Sequence, residues 1–179
     1  MRIASIATTA LICLVSSASC VSASPPPQQT LLPPDIVLDL AAVNTFFPDI
    51  THLAQTGPDK TAQGNPTATR SVFYETNGGT KRVTISVDRY RDPSAASDAY
   101  KRALQKSEAV RGFKLLKVPN LAQRTFAGTV TMNGETHVGM GVLSGNTIVG
   151  ATTARYDASA SLVSSLVSMT RIQVAHLGK

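Results

Sequence analysis

The sequence predicts an α+β domain: an antiparallel sheet of about five or six strands with two long helices and a short N-terminal helix packed on it. Three observations lead there. Apolar residues alternate along 70–90 and 124–155, with turn residues at short intervals, as in hairpins. Two segments, 92–110 and 158–174, repeat apolar residues at helical spacing. Strand-like and helical segments come in runs instead of alternating one for one, which favours an antiparallel sheet carrying its helices on one side.

The N-terminus reads as an export signal. Met1-Arg2 supplies a positive start, and Ile3 to Val15 is an uncharged apolar run of thirteen residues, too short to span a bilayer, which needs about 20 helical residues. Val21-Ser22-Ala23 offers small residues where a signal peptidase reads, so 1–23 is expected to be removed. Ala18-Ser19-Cys20 is the rival: it resembles a lipobox in which Cys20 becomes a lipidated first residue, although Ser17 stands where that motif carries a larger aliphatic residue. Both cysteines, Cys13 and Cys20, fall in or beside this segment, so no disulfide framework is expected in the mature domain. Apart from the leader, no stretch is apolar enough to span a membrane.

Residues 24–34 form a spacer with five prolines and Gln28-Gln29, a composition that favours extended chain. The domain, 35–179, then opens on Asp35, with Ile36, Val37, Leu40 and Val43 predicting a first helix up to about Asn44, ahead of Pro48. Residues 56–69 hold Gly57-Pro58, Gly64 and Asn65-Pro66 with almost nothing apolar, a long surface loop. Residues 70–76 and 80–90 flank Asn77-Gly78-Gly79, with Val83, Ile85 and Val87 on one face, a hairpin. Asp92-Pro93 gives an N-cap and a proline at the first helical position for a helix burying Ala96, Ala99, Tyr100, Ala103 and Leu104. Residues 113–118 make a further strand closed by Pro119-Asn120. Three strands then follow, 124–132, 135–143 and 147–155, separated by Asn133-Gly134 and Ser144-Gly145-Asn146. The last helix is expected to be capped by Asp157 and to bury Leu162, Val163, Leu166, Val167 and Thr170.

In this order of elements, with the helix VDRYRDPSAASDAYKRAL and the meander ending GNTIVGATTARYD, residues 35–174 resemble actinobacterial cell-envelope lipoproteins and the extracytoplasmic sensor domains of receptor-type Ser/Thr kinases. Those sensor domains often carry paired cysteines, which this chain lacks. The resemblance implies an accessory or ligand-binding role outside the cytoplasm and carries no residue-level function.

Charge is concentrated. Residues 81–117 hold ten basic and four acidic residues, and the rest of the mature chain is close to neutral. Lys81, Arg82, Lys101, Arg102 and Lys106 are therefore candidates for meeting an anionic envelope surface or acidic polymer; the same residues also suit a solvated face that maintains solubility. His52, His137 and His176 are far apart and show no ligand spacing, so neither metal nor cofactor is expected. No Gly-x-Ser-x-Gly elbow occurs. His137, Gly139, Gly141 and Leu143 share one strand face. The two missing side chains would leave a shallow ligand groove beside an imidazole, or let a helix pack closely on the sheet. Most of the few aromatic residues fall on expected core faces, which speaks against nucleic-acid binding. The reading that follows is an exported, non-catalytic module binding a ligand or protein partner. The alternative is a small secreted hydrolase or isomerase with a pocket near His137, discriminated by a closed pocket and an adjacent carboxylate.

Overall fold

Two tight turns set the register of the sheet's centre. A computed structural model describes residues 29–178, so the expected leader, Cys13, Cys20 and residues 24–28 lie outside the described chain. Within it β6 (Arg124–Met132) and β7 (Glu135–Ser144) are joined by Asn133-Gly134, and β7 turns through Gly145-Asn146 into β8 (Thr147–Ala154). Asn133 and Gly134 stand at φ of 53° and 79°, the left-handed pair that matches strand twist. Because Met132 faces Glu135 and Ser144 faces Thr147, every partner further along the three strands is determined.

The sheet is larger than expected, with eight strands among the described residues, in the order β1-β3-β4-β8-β7-β6-β5 and with β2 pairing β3 beside β1. β3 (Ala68–Glu75) and β4 (Arg82–Arg89) form the predicted hairpin across Asn77-Gly78-Gly79, and β5 (Lys114–Leu116) is the expected short strand against β6. Two strands escaped the pattern. β1 (Thr30–Leu31), inside the Pro-rich stretch, is only two residues long and runs parallel to β3, so the sheet is mixed and not purely antiparallel. β2 (His52–Gly57) is an edge strand with a register shift between Leu53 and Gln55, exposed along nearly its whole length. A strand with no buried face shows no alternation to read.

The helices differ from expectation in placement and in their ends. α2 (Pro93–Glu108) begins as predicted, with the Asp92 side chain accepting from Ala95 N–H at 2.8 Å. α3 (Ala160–His176) is capped by Ser159, which accepts from Leu162 N–H, and not by Asp157. α1 is only Leu40–Asn44, capped by Asp39; Pro34–Ile36 is a single 3-10 turn. Between them Val37 is extended and buried with Leu38. That segment stays out of the helix because its backbone is engaged elsewhere: Gln173 of α3, itself wholly buried, accepts from Leu38 N–H and donates to Ile36 C=O, while Arg70 and Tyr74 donate to the carbonyls of Leu32 and Leu38.

Helices cover both faces, not one. On the inner face Val72, Tyr74, Val83, Ile85, Val87, Val138, Met140 and Ala151 meet Leu162, Leu166, Val167 and Met169 of α3. Each fully buried Val, Leu, Ile or Met among them contributes roughly 1.5–3 kcal/mol. On the outer face α2 contributes Ala96, Ala99 and Tyr100 to a smaller cluster with Tyr90, Leu143 and Ile148, edged by Phe126. That cluster lies at one end of the strands. Among the described residues no helix lies over the other end of the outer face.

Candidate functional site

The strand register arranges the outer face as rows running across the strands. One row is Leu143, Ile148, Asp88 and Thr69, all buried under α2 and the β2–β3 loop. The next is Phe126, Gly141, Gly150, Ser86 and Ser71. Then come Gly128, Gly139, Thr152, Thr84 and Phe73, and finally Val130, His137, Ala154, Arg82 and Glu75. Four glycines thus meet as two directly opposed pairs, Gly128 with Gly139 and Gly141 with Gly150.

The glycines do not serve helix packing. Aromatic rings from neighbouring strands and the α2–β5 turn lie over two of them: Phe126 over Gly141, where an added Cβ would sit 2.6 Å from the ring, and Phe113 over Gly128. Phe126 in turn meets Tyr100 of α2 edge-on, with centroids 5.4 Å apart, a favourable aromatic geometry. Gly139 is different. An added Cβ there would touch only the Thr152 methyl and one backbone oxygen. Around it Gly150, Thr84 and Ser86 are half-buried and Thr152 is exposed, and no described residue hydrogen-bonds the Thr84, Ser86 or Thr152 hydroxyls. The result is a shallow floor of small polar residues. Phe73 stands on one side, and Phe113 and Val130 on the other.

The last row forms a charged rim. Arg82 donates to Glu75 at 2.7 Å and lies 5.4 Å from the Phe73 ring. Arg155 joins Glu135 at 2.8 Å, and Glu135 is 3.9 Å from His137 Nε2. His137, Gly139 and Gly141 therefore share a face as expected, but only the first two border the open floor, since Phe126 closes over Gly141. His137 has a carboxylate nearby and lines neither of the two cavities described below. The two cavities of note lie elsewhere, one of about 530 Å³ beside α1 and one of about 480 Å³ between Arg89, Asn146 and the end of α3.

The five basic candidates fall in three places. Lys81 turns to the inner side, its Nζ 2.8 Å from Asp49 and 4.7 Å from the Tyr156 ring centroid, whereas Arg82 belongs to the outer rim. Burial works against the Asp49 carboxylate, but its bonds from Lys81 and the Tyr156 hydroxyl outweigh that and hold its pKa below the usual value. Lys101, Arg102 and Lys106 are exposed on α2, which packs near the opposite end of β4, about 20 Å along the strand. Among the described residues no group of three or more His, Cys, Asp or Glu side chains is placed to hold a metal, and no described helix is long and apolar enough to cross a membrane.

This sheet with helices on both faces defines a mixed α/β fold, and a solved structure shares it. The extracellular domain of PknH from Mycobacterium tuberculosis, a receptor Ser/Thr kinase, is similar with a TM-score of 0.60 at 12% identity, over 80% of this chain and 94% of that domain. A GTP binding regulator from Thermotoga maritima matches at a TM-score of 0.42 and 14% identity, over 78% and 92% of the two chains. No family model and no curated protein matches the sequence.

Proposed function

We propose that the chain is an exported, non-catalytic binding module of a bacterial cell envelope, sensor-like in character, whose ligand or protein partner lies on the open half of the outer face. The observation that carries this reading is the floor itself. Gly139, Gly150, Thr84, Ser86 and Thr152 form a surface that the fold leaves without a covering helix, with hydroxyls free to hydrogen-bond and aromatic sides to stack against. A flat, polar occupant such as a glycan or an extended peptide fits that chemistry. The fold shared with an extracellular domain supports the compartment, as does the apolar leader. The occupant is reached either from a freely secreted domain or from one tethered at Cys20.

The test is a nuclear magnetic resonance titration of the domain with a soluble peptidoglycan fragment. Shift changes centred on the amides of Gly139, Gly150 and Thr152 are expected, and Gly139→Val should remove them while the fold persists. Changes confined to α1 or α3 would refute the assignment of the face. Export is checked separately by the mass of the mature N-terminus, expected at Ser24 or at an acylated Cys20.

A further inference from the structure

Two aspartates from distant parts of the sequence meet beneath the β2–β3 loop. Asp88 on β4 is 5% exposed and Asp59 in the loop 8% exposed, so two carboxyls share one buried region. Thr69, wholly buried on β3, bridges them: its hydroxyl donates to Asp88 Oδ1 at 2.5 Å and accepts from Asp59 N–H at 3.0 Å. Two carboxylates buried together repel when both are ionised, so the docked loop favours a proton on one of them. Asp59 Oδ1 already accepts from Thr61 N–H and the Thr61 hydroxyl, at 2.8 and 2.7 Å. Asp88 accepts one bond, from Thr69, against two at Asp59 Oδ1, so the proton falls to Asp88.

The loop has few other ties to the sheet. Tyr90 donates its hydroxyl to Gln63 C=O at 2.7 Å, Thr67 N–H reaches Arg89 C=O at 2.8 Å, and the Arg102 guanidinium of α2 lies against Gly64. We propose that the Asp59–Asp88 carboxyl pair is a proton-operated latch, which keeps the 58–67 loop docked over one end of the outer face in acid and frees it as the pH rises. Burial, and then the Asp59 charge, push the Asp88 pKa up to about 7 against the opposing bond from Thr69. Among the described residues Tyr90 and the Arg102 guanidinium also face the pair, and Tyr90 is pushed further up by burial and by the two carboxylates. Once the loop lifts, water hydrates both carboxylates and Asp88 returns toward the ordinary value. The opening equilibrium therefore rises about tenfold per pH unit between the two values and levels off above the upper one. Opening would bare Asp88, Thr69 and Ser71, extending the open floor toward α2. The latch stands on its own geometry and does not depend on what the floor binds.

The experiment is hydrogen exchange on the full chain between pH 5 and pH 8, expressed as protection relative to the intrinsic rate at each pH, with α3 amides as internal reference. Protection of the Asp59, Thr61 and Thr67 amides should fall by more than tenfold relative to α3 across this range. Asp88→Asn, which keeps a donor toward Asp59 without a charge, should flatten that dependence and leave the loop docked at pH 8. If Asp88→Asn does not fold, Asp59→Asn provides the same test. Loop protection that stays constant in the unsubstituted protein, or a slope that survives in either folded variant, overturns the latch.

Discussion

Phe126 lies over Gly141 on the adjacent strand, each directly opposite the other in the β6–β7 ladder. The ring occupies the place of the missing side chain, and Tyr100 fixes it from above. Gly141→Ala should therefore destabilise by about 1–3 kcal/mol through overpacking, whereas Gly139→Ala, which meets only a methyl, should cost less than half as much. In a Phe126→Ala background the Gly141→Ala penalty should largely disappear. Urea unfolding of the unsubstituted protein, the three single variants and the double variant measures this, and equal Gly141→Ala penalties in both backgrounds would contradict the contact.

Gln173 is an amide sealed in the interface between α3 and the segment 36–38. Gln173→Leu leaves a backbone N–H and a carbonyl buried without partners, which costs about 1–3 kcal/mol each. Leu166→Ala should lower stability by about 2–5 kcal/mol through a cavity. The two should differ in one respect: only Gln173→Leu should increase proteolytic cleavage within 32–39 under native conditions.

Stability should have acid and neutral limbs of opposite sign. The Asp88 pKa is raised, so its contribution is complete below the unfolded value near 4 and is lost as the pH climbs through about 7. The Asp49 pKa is lowered, so its contribution is present above the unfolded value and is lost as the pH falls below it. Unfolding midpoints from pH 3 to 8 should pass through a maximum in mildly acid solution. Asp88→Asn should abolish the decline on the neutral side and leave the acid limb intact.

Lys101, Arg102 and Lys106 are exposed together on α2, with Lys101 3.4 Å from Asp98, whereas Lys81 and Arg82 are held more closely by Asp49 and Glu75. Replacing Lys101, Arg102 and Lys106 together by Gln should abolish binding to phosphatidylglycerol vesicles at low salt, and 0.15 M salt should weaken the unsubstituted protein's binding, as expected with a Debye length of about 8 Å. Stability should change by only a few tenths of a kcal/mol per site. Absence of vesicle binding by the unsubstituted protein at low salt would leave α2 a solvated face.

How much was legible depended on whether a residue's neighbours were close in sequence. The β3–β4 hairpin and the β6–β7–β8 meander could be read because Asn-Gly and Gly-Asn turns announce themselves locally. The same turns, counted outward, place Gly128 opposite Gly139 and Gly141 opposite Gly150, a signal present in the sequence but not used. β2 could not be read, since an exposed edge strand has no buried face to impose alternation. The side of the sheet taken by α2 was also hidden: an amphipathic helix records that it is covered on one side, not by which face. The Asp59–Asp88 contact was the least visible, because a loop aspartate in a polar stretch looks solvated until the fold lays it against another strand.

Tension applied at the amino end of the domain would be borne by side chains more than by a strand ladder. β1 offers only two paired residues, but beyond it the chain is gripped in turn by Arg70 at Leu32, His176 at Asp35, Gln173 at Ile36 and Leu38, and Tyr74 at Leu38. Load entering there passes into β3 and α3, on the inner side of the sheet, and reaches the floor around Gly139 only through the strands themselves. A domain hung by its N-terminus could therefore sway on its tether without distorting the surface it presents.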